Sequence, residues 1–253
     1  QGRLTDATTT VALVTDDVED AHHSPVQLAL IAPPAPVCAA LAGRLPDRRR
    51  TTSPPRPRRA VAPAPPADGE PLRAAHVLAA LAERLPEDTV VVEETPSSRP
   101  DLHRLLPARA PLGFLSAAMG GLGFGLPAAI GVRMGAPRRP VVAVVGDGSS
   151  LYSIQALWSA AHYGVGVLFV VLANGRYAIM DRLAEQHGGK APWPAFEEVD
   201  VAALAEGFGC PADRVDSHDD MIKALDALVP TLAERPAPLV LEVDVVPEAT
   251  VEP

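Results

Sequence analysis

The sequence predicts an α/β protein: a doubly wound parallel sheet with helices on both faces, preceded by an incomplete α/β segment. Three observations predict it. From residue 71 onward, short apolar runs alternate with amphipathic stretches, the order that builds a parallel sheet covered by crossover helices. The longest runs are continuous and β-branched, as strands buried on both faces require. Hydrophobic residues make up 47 % of the 253 residues and aromatics 4 %, so the core must be built mainly from Ala, Val and Leu.

The elements follow in order. Residues 11–15 (Val-Ala-Leu-Val-Thr) read as a short buried strand ending at Asp16-Asp17, residues 27–32 as a second apolar strand, and residues 36–45 as a helix. Two strands and one helix do not enclose a core, so residues 1–50 read as part of a domain. Residues 51–70 are proline-rich and carry Arg56, Arg58 and Arg59. Proline removes backbone donors and the stretch has little to bury, so it reads as a linker with solvated charges. Residues 71–253 form the main domain. It has a helix over 72–85, a strand over 89–93, a helix over 120–134, a strand over 140–145 and a helix over 151–163. A strand over 165–172, helices over 201–208 and 219–232 and a strand over 239–245 complete it. No internal repeat is visible.

Composition excludes several function classes. A formal charge of −9 argues against nucleic acid as a partner, because phosphate backbones need a basic face. Cys38 and Cys210 lie too far apart for a metal motif or a disulfide framework. No apolar run reaches the roughly 18 residues of a membrane span, and the first ten residues lack a signal peptide's apolar stretch. A cytoplasmic protein is expected.

The chemistry gathers where the strand over 140–145 ends in Gly146-Asp147-Gly148-Ser149-Ser150. Open parallel sheets bind ligands at the carboxyl ends of their strands, and glycines let a backbone approach a phosphate. Alone, this segment fits an ordinary turn with a helix cap equally well. The next strand ends in Ala173-Asn174-Gly175, and Asn174 lies 27 residues after Asp147. One helix and one strand fill that interval, so both side chains fall at one sheet edge. A carboxylate, an amide oxygen and a nearby backbone carbonyl are hard oxygen donors that suit Mg²⁺ once diphosphate oxygens and water complete the shell. Asn-Gly by itself is also a common turn pair.

These residues resemble the metal and diphosphate motif of thiamine-diphosphate enzymes. The segment from Glu93 through Ser97 (Glu-Glu-Thr-Pro-Ser), the run from Ala118 through Gly131 (Ala-Met-Gly-Gly-Leu-Gly-Phe-Gly-Leu-Pro-Ala-Ala-Ile-Gly), and Tyr152-Ser153-Ile154-Gln155-Ala156-Leu157-Trp158 are similar to the benzoylformate decarboxylase and acetolactate synthase-like branch. The resemblance covers about residues 71–247, the family's diphosphate-binding domain, and more weakly residues 1–48, part of its middle domain.

The resemblance implies roles. Asp147 and Asn174 would bind Mg²⁺ through side chains and Arg176 through its backbone carbonyl. Gly148, Ser149, Tyr152 and Ser97 would contact the diphosphate of thiamine diphosphate. Gly120 would offer its carbonyl to the aminopyrimidine, Leu122 would support the bent cofactor, and Met180 and Leu183 would face the substrate. Each has a plainer reading: Ser149 as a cap, and Leu122, Tyr152 and Met180 as packing. Two departures stand out. Ala173 replaces the first of the family's two asparagines, and Pro96 stands where relatives often carry a hydroxyl.

The implied activity is decarboxylation or carboligation of a small 2-keto acid, benzoylformate-like or acetolactate synthase-like. The family's activating glutamate belongs to a separate pyrimidine-binding domain. No such domain is recognised in the sequence, and Glu93 and Glu94 belong to the diphosphate half. None of His22, His23, His76, His103, His162, His187 and His218 matches a family catalytic position. The resemblance therefore implies a pyrimidine-binding domain or subunit as partner and a homo- or hetero-oligomer. Two rival readings remain: a non-catalytic cofactor-binding or regulatory subunit, and a nucleotide site at the Gly-Asp-Gly loop, which lacks the dinucleotide glycine fingerprint.

Overall fold

The computed structural model describes residues 6, 8–45, 61–67, 69–118, 120–190 and 192–247. The chain divides into two compact units, residues 1–57 and 58–253. Much of the linker expected over 51–70, including Arg56, Arg58 and Arg59, lies outside the described residues.

The first unit contains β1 (Ala12–Thr15), α1 (Val18–His23), β2 (Leu28–Ile31) and α2 (Pro34–Ala42). The two strands are parallel, with Ala12 opposite Leu28 and Thr15 opposite Ile31. Helix α1 is absent from the sequence expectation because its residues, Val-Glu-Asp-Ala-His-His, bury nothing. Its start is fixed by Asp17, whose Oδ1 accepts from Glu19 N at 2.8 Å, a standard N-cap.

The second unit begins with α3 (Ala74–Arg84), β3 (Val90–Glu94), α4 (Arg99–Leu105), β4 (Phe114–Ser116) and α5 (Gly125–Gly135). It continues with β5 (Val141–Gly146), α6 (Asp147–Ser150), α7 (Ala156–His162), β6 (Leu168–Ala173) and α8 (Ala178–Gln186). Then come α9 (Val201–Gly207), β7 (Ala212–Val215), α10 (His218–Leu228), a 3₁₀ turn (Val229–Thr231) and β8 (Leu239–Asp244). The strands form one parallel sheet in the order β4-β3-β5-β6-β8-β7.

Strand parity sorts the core into two layers. Val142 and Val144 pack with α3, α4 and α10, through Leu78, Leu102 and Leu225. Val141, Ala143 and Val145 pack with α5, α7 and α9, through Ile130, Leu157 and Ala205. Successive strand side chains face opposite sides, so a continuous valine run serves both layers. This is the doubly wound fold that the sequence predicts.

Three element expectations need correction. The helix expected over 120–134 begins only at Gly125, because Gly120 and Gly123 adopt φ values of 67° and 95°, outside the helical range. The helix expected over 151–163 is confined to 156–162, after one turn at 147–150 and a run of i→i+3 bonds such as Ser153 N to Ser150 O, 3.1 Å. The helix expected over 219–232 ends at Leu228 and tightens into the 3₁₀ turn containing Pro230. Elements α4, β4, α8 and β7 have no counterpart in the sequence reading. The strands among them are short edge strands, and β7 is half polar (Ala-Asp-Arg-Val).

Candidate cofactor site

The chain steps from β3 outward to β4, then returns across β3 to β5 and continues to β6. The connections diverge between β3 and β5, and crevices of this kind at the carboxyl edge are where open parallel sheets hold ligands. A cavity of about 390 Å³ lies there, lined by the segments that leave β3, β5 and β6 and by the loop before α5.

Asp147 is the structural centre of this edge. It is 5 % exposed. Its Oδ1 accepts from Gly148 N at 2.7 Å, and its Oδ2 accepts from Asn174 N at 2.8 Å and Gly175 N at 2.7 Å. One carboxylate thus joins the ends of two neighbouring strands. Asn174 Oδ1 accepts from Arg176 N at 3.1 Å, and Gly175 has a φ of 67°, so Asn174-Gly175 is also a turn. Burial raises the Asp147 pKa above its ordinary value, against the backbone donors that lower it. No basic side chain among the described residues offsets its charge.

These donors fit a small dication. Asp147 Oδ1 and Asn174 Oδ1 each keep a lone pair beyond their single backbone bond, while both lone pairs of Asp147 Oδ2 are taken. No group of three or more His, Cys, Asp or Glu among the described residues could form an all-protein cage. A cation here would therefore need ligand oxygens, the usual arrangement for Mg²⁺ on a phosphate.

The other predicted residues divide clearly. Gly148, Ser149, Asn174 and Arg176 line the cavity beside Asp147. A Cβ on Gly148 would lie 2.6 Å from the Tyr177 ring and 2.9 Å from Phe196, so only glycine fits. Ser97 lies across the cavity, and its Oγ accepts from Ile179 N at 3.0 Å, tying the β3 exit to the start of α8. Gly120, Leu122, Tyr152 and Met180 complete the lining that the sequence predicted. Leu183 does not line it; one turn further along α8, it is 42 % exposed.

Sequence reasoning missed several contributors. Tyr177 packs against Phe196 with ring centroids 4.8 Å apart and borders the cavity; burial pushes its phenol pKa up. Trp193 also lines the cavity, and its Nε1 donates to Asp181 Oδ1 at 2.9 Å. Glu93 and Glu94, which the sequence assigned to the diphosphate half without giving them a contact, are buried behind the cleft and do not line it. Glu93 accepts from Thr95 N at 2.7 Å, Ser116 Oγ at 2.7 Å and Arg99 Nε at 3.0 Å. Glu94 accepts from Gly123 N at 2.8 Å, Phe124 N at 2.7 Å and Gly125 N. The available signal was an acidic pair at the end of an apolar strand, where a burial pattern alone would place apolar residues.

Comparison with known proteins agrees with this geometry. Residues 97–243 match the family described as thiamine pyrophosphate enzyme, C-terminal TPP binding domain. The chain is 36 % identical over 195 residues to benzoylformate decarboxylase of Pseudomonas aeruginosa, covering 76 % of this chain and 36 % of that protein. It is 35 % identical over 133 residues to the acetolactate synthase large subunit of Parasynechococcus marenigrum, covering 49 % of this chain and 21 % of that protein. Its fold is similar to that of 4-hydroxybenzoylformate decarboxylase from Rhodococcus jostii RHA1, with a TM-score of 0.85 and 29 % identity, over 99 % of this chain and 46 % of that one. The chain thus spans less than half the length of these relatives. With 147 consecutive positions under the family's description and the Asp147–Asn174 edge in place, the chain belongs to the thiamine pyrophosphate enzymes and carries their C-terminal cofactor-binding domain.

Proposed function

We propose that the cleft binds thiamine diphosphate with Mg²⁺ and serves decarboxylation or carboligation of a 2-keto acid, with an aromatic, benzoylformate-like substrate favoured. The observation that carries this reading is the buried Asp147 carboxylate, which joins the β5 and β6 ends and has no cationic side-chain partner among the described residues. Asp147, Asn174 and the Arg176 carbonyl would hold Mg²⁺. Gly148, Ser149, Tyr152 and Ser97 would hold the diphosphate, while Gly120 and Leu122 would orient the rings. Met180 would face the substrate from the cavity wall, and Leu183 would do so only if α8 turned toward the cleft. When bound, the cofactor supplies the nucleophile and electron sink for breaking the bond to the carboxylate. The protein's task is to bind, orient and exclude water.

Asp147 is the only carboxylate lining the cleft among the described residues, and as a metal ligand it is unavailable to activate the aminopyrimidine. The family resemblance implies that the activating glutamate would come from a pyrimidine-binding domain, elsewhere in a longer protein or on a second subunit of an oligomer. Residues 1–50 are assigned to the middle domain, 51–70 to the linker and 71–253 to the cofactor domain. A cytoplasmic setting accords with two free cysteines, Cys38 exposed and Cys210 buried. No helix among the described residues is long and apolar enough to cross a membrane.

Calorimetry tests the site. Thiamine diphosphate should bind in a Mg²⁺-dependent way, with NAD and ATP as negative arms. Asp147→Ala should weaken binding by about 100-fold, the scale of losing a charged ligand contact; unchanged affinity would refute the site. A second reading, a non-catalytic cofactor-binding subunit, is favoured by Ala173, Pro96 and the missing second carboxylate. Adding the pyrimidine-binding domain with pyruvate or benzoylformate separates the two: CO₂ release supports the enzyme, and none from a fully loaded assembly supports the subunit.

A further inference from the structure

A second cavity of about 310 Å³ adjoins the cofactor cleft, and Arg176 and Trp193 line both. Trp193 lies in the irregular stretch between α8 and α9, where no regular backbone pattern fixes an indole. It is held through its side chain instead. Nε1 donates to Asp181 Oδ1 at 2.9 Å, and Asp181 Oδ2 lies 3.5 Å from Arg176 Nε. Asp181 follows Met180 in the first turn of α8, so one helical turn both presents Met180 to the cleft and holds the indole. On the other side of Trp193, the stretch is anchored by Phe196 N, which donates to Gly175 O at 2.8 Å. An indole whose N–H is satisfied presents a rigid apolar plate, and this one stands where the cleft meets the second cavity.

We propose that Trp193 is a specificity-determining residue, closing the cleft against the second cavity and so limiting the length of the 2-keto acid side chain admitted. Asp181 is its positioning residue. This deepens the function proposed above and rests on it for the substrate class. Small changes in an apolar pocket alter discrimination by roughly 10–200-fold, and removing the indole joins the two spaces.

The test uses the assembly with its pyrimidine-binding domain and compares pyruvate, benzoylformate and the longer 4-phenyl-2-oxobutanoate. Trp193→Ala should raise kcat/KM for the longest substrate relative to benzoylformate by about tenfold or more, with cofactor affinity retained. Asp181→Leu should move the ratio the same way. Asp181→Asn, which keeps an oxygen acceptor, should restore it. A second readout is independent of turnover. The chain has two tryptophans, so Trp158→Phe leaves Trp193 as the sole indole. Its emission should change when benzoylphosphonate, which has no carboxylate to lose as CO₂, binds to the cofactor-loaded protein. An unchanged substrate ratio overturns the proposal, as does loss of cofactor affinity in Trp193→Ala, or benzoylphosphonate binding by calorimetry without a change in emission. If the wild-type chain binds no thiamine diphosphate at all, the function proposal itself fails, which is a separate and recognisable result.

Discussion

The Glu242 side chain leaves the middle of β8, between Val171 of β6 and Arg214 of β7, and is fully buried. Its Oε2 accepts from Ala202 N at 2.6 Å, at the start of α9. Its Oε1 has no hydrogen-bond partner among the described residues. Burial raises its pKa above the ordinary 4.5, the Ala202 bond and Arg214 lower it, and Asp200 raises it further. The folded state therefore holds the proton more tightly than the unfolded chain does. Its contribution is fully present below pH 4.5 and is lost as pH rises through the raised folded value. Above that raised value the charged form is a cost. Glu242→Gln keeps an acceptor for Ala202 and removes that charge, so its melting temperature at pH 7 should exceed the wild type's. The gap should narrow at pH 4. Differential scanning calorimetry at both pH values checks this, and a gap independent of pH would show that burial of charge is not the cause.

Glu94 does for a loop and a helix what Glu242 does for α9. Its carboxylate accepts from three consecutive backbone donors, Gly123, Phe124 and Gly125, at the entry to α5 and beside the loop that brings Gly120 and Leu122 to the cavity. Hydrogen bonds to a buried charged acceptor contribute more than neutral ones, and leaving buried donors unpaired is costly. Glu94→Ala should therefore lower stability by about 3 kcal/mol in urea unfolding and weaken thiamine diphosphate binding, with Glu94→Gln intermediate. Full stability in Glu94→Ala would show that water replaces the carboxylate. The same residue marks how far the sequence was legible. Valine runs in β5 and β6 declared the central strands because burial on both faces demands them, and the spacing from Asp147 to Asn174 placed both at one edge. Glu93 and Glu94 could not be read so: their burial is tolerated only because donors distant in sequence, such as Gly123 and Ser116, converge on them. Trp193 and Phe196 reach the site from an irregular segment, where no periodicity exists to read. The edge strands β4 and β7 are too short and too exposed to carry a pattern.

At the scale of the whole molecule, the two units differ in how much they bury. In the larger unit, β5, β6 and β8 are buried along almost their whole length between two apolar layers. In the smaller unit, every residue of β2 is exposed, Leu28, Leu30 and Ile31 included. Thr15 is the only buried residue described within 1–57. Two strands with little apolar cover are marginal in water, and local opening follows local burial rather than global stability. Native-state hydrogen exchange on this chain should show amides of β1 and β2 exchanging at least about 100-fold faster than those of β5 and β6, which should open only with global unfolding. If the middle-domain assignment of residues 1–50 holds, a longer protein that supplies further strands should slow β1 and β2 and leave β5 and β6 unchanged, because the latter already lack solvent on either face. Equal protection of β1 and β5 in the chain alone would mean that the smaller unit is stable with the strands it has, and the middle-domain assignment would lose its physical motive.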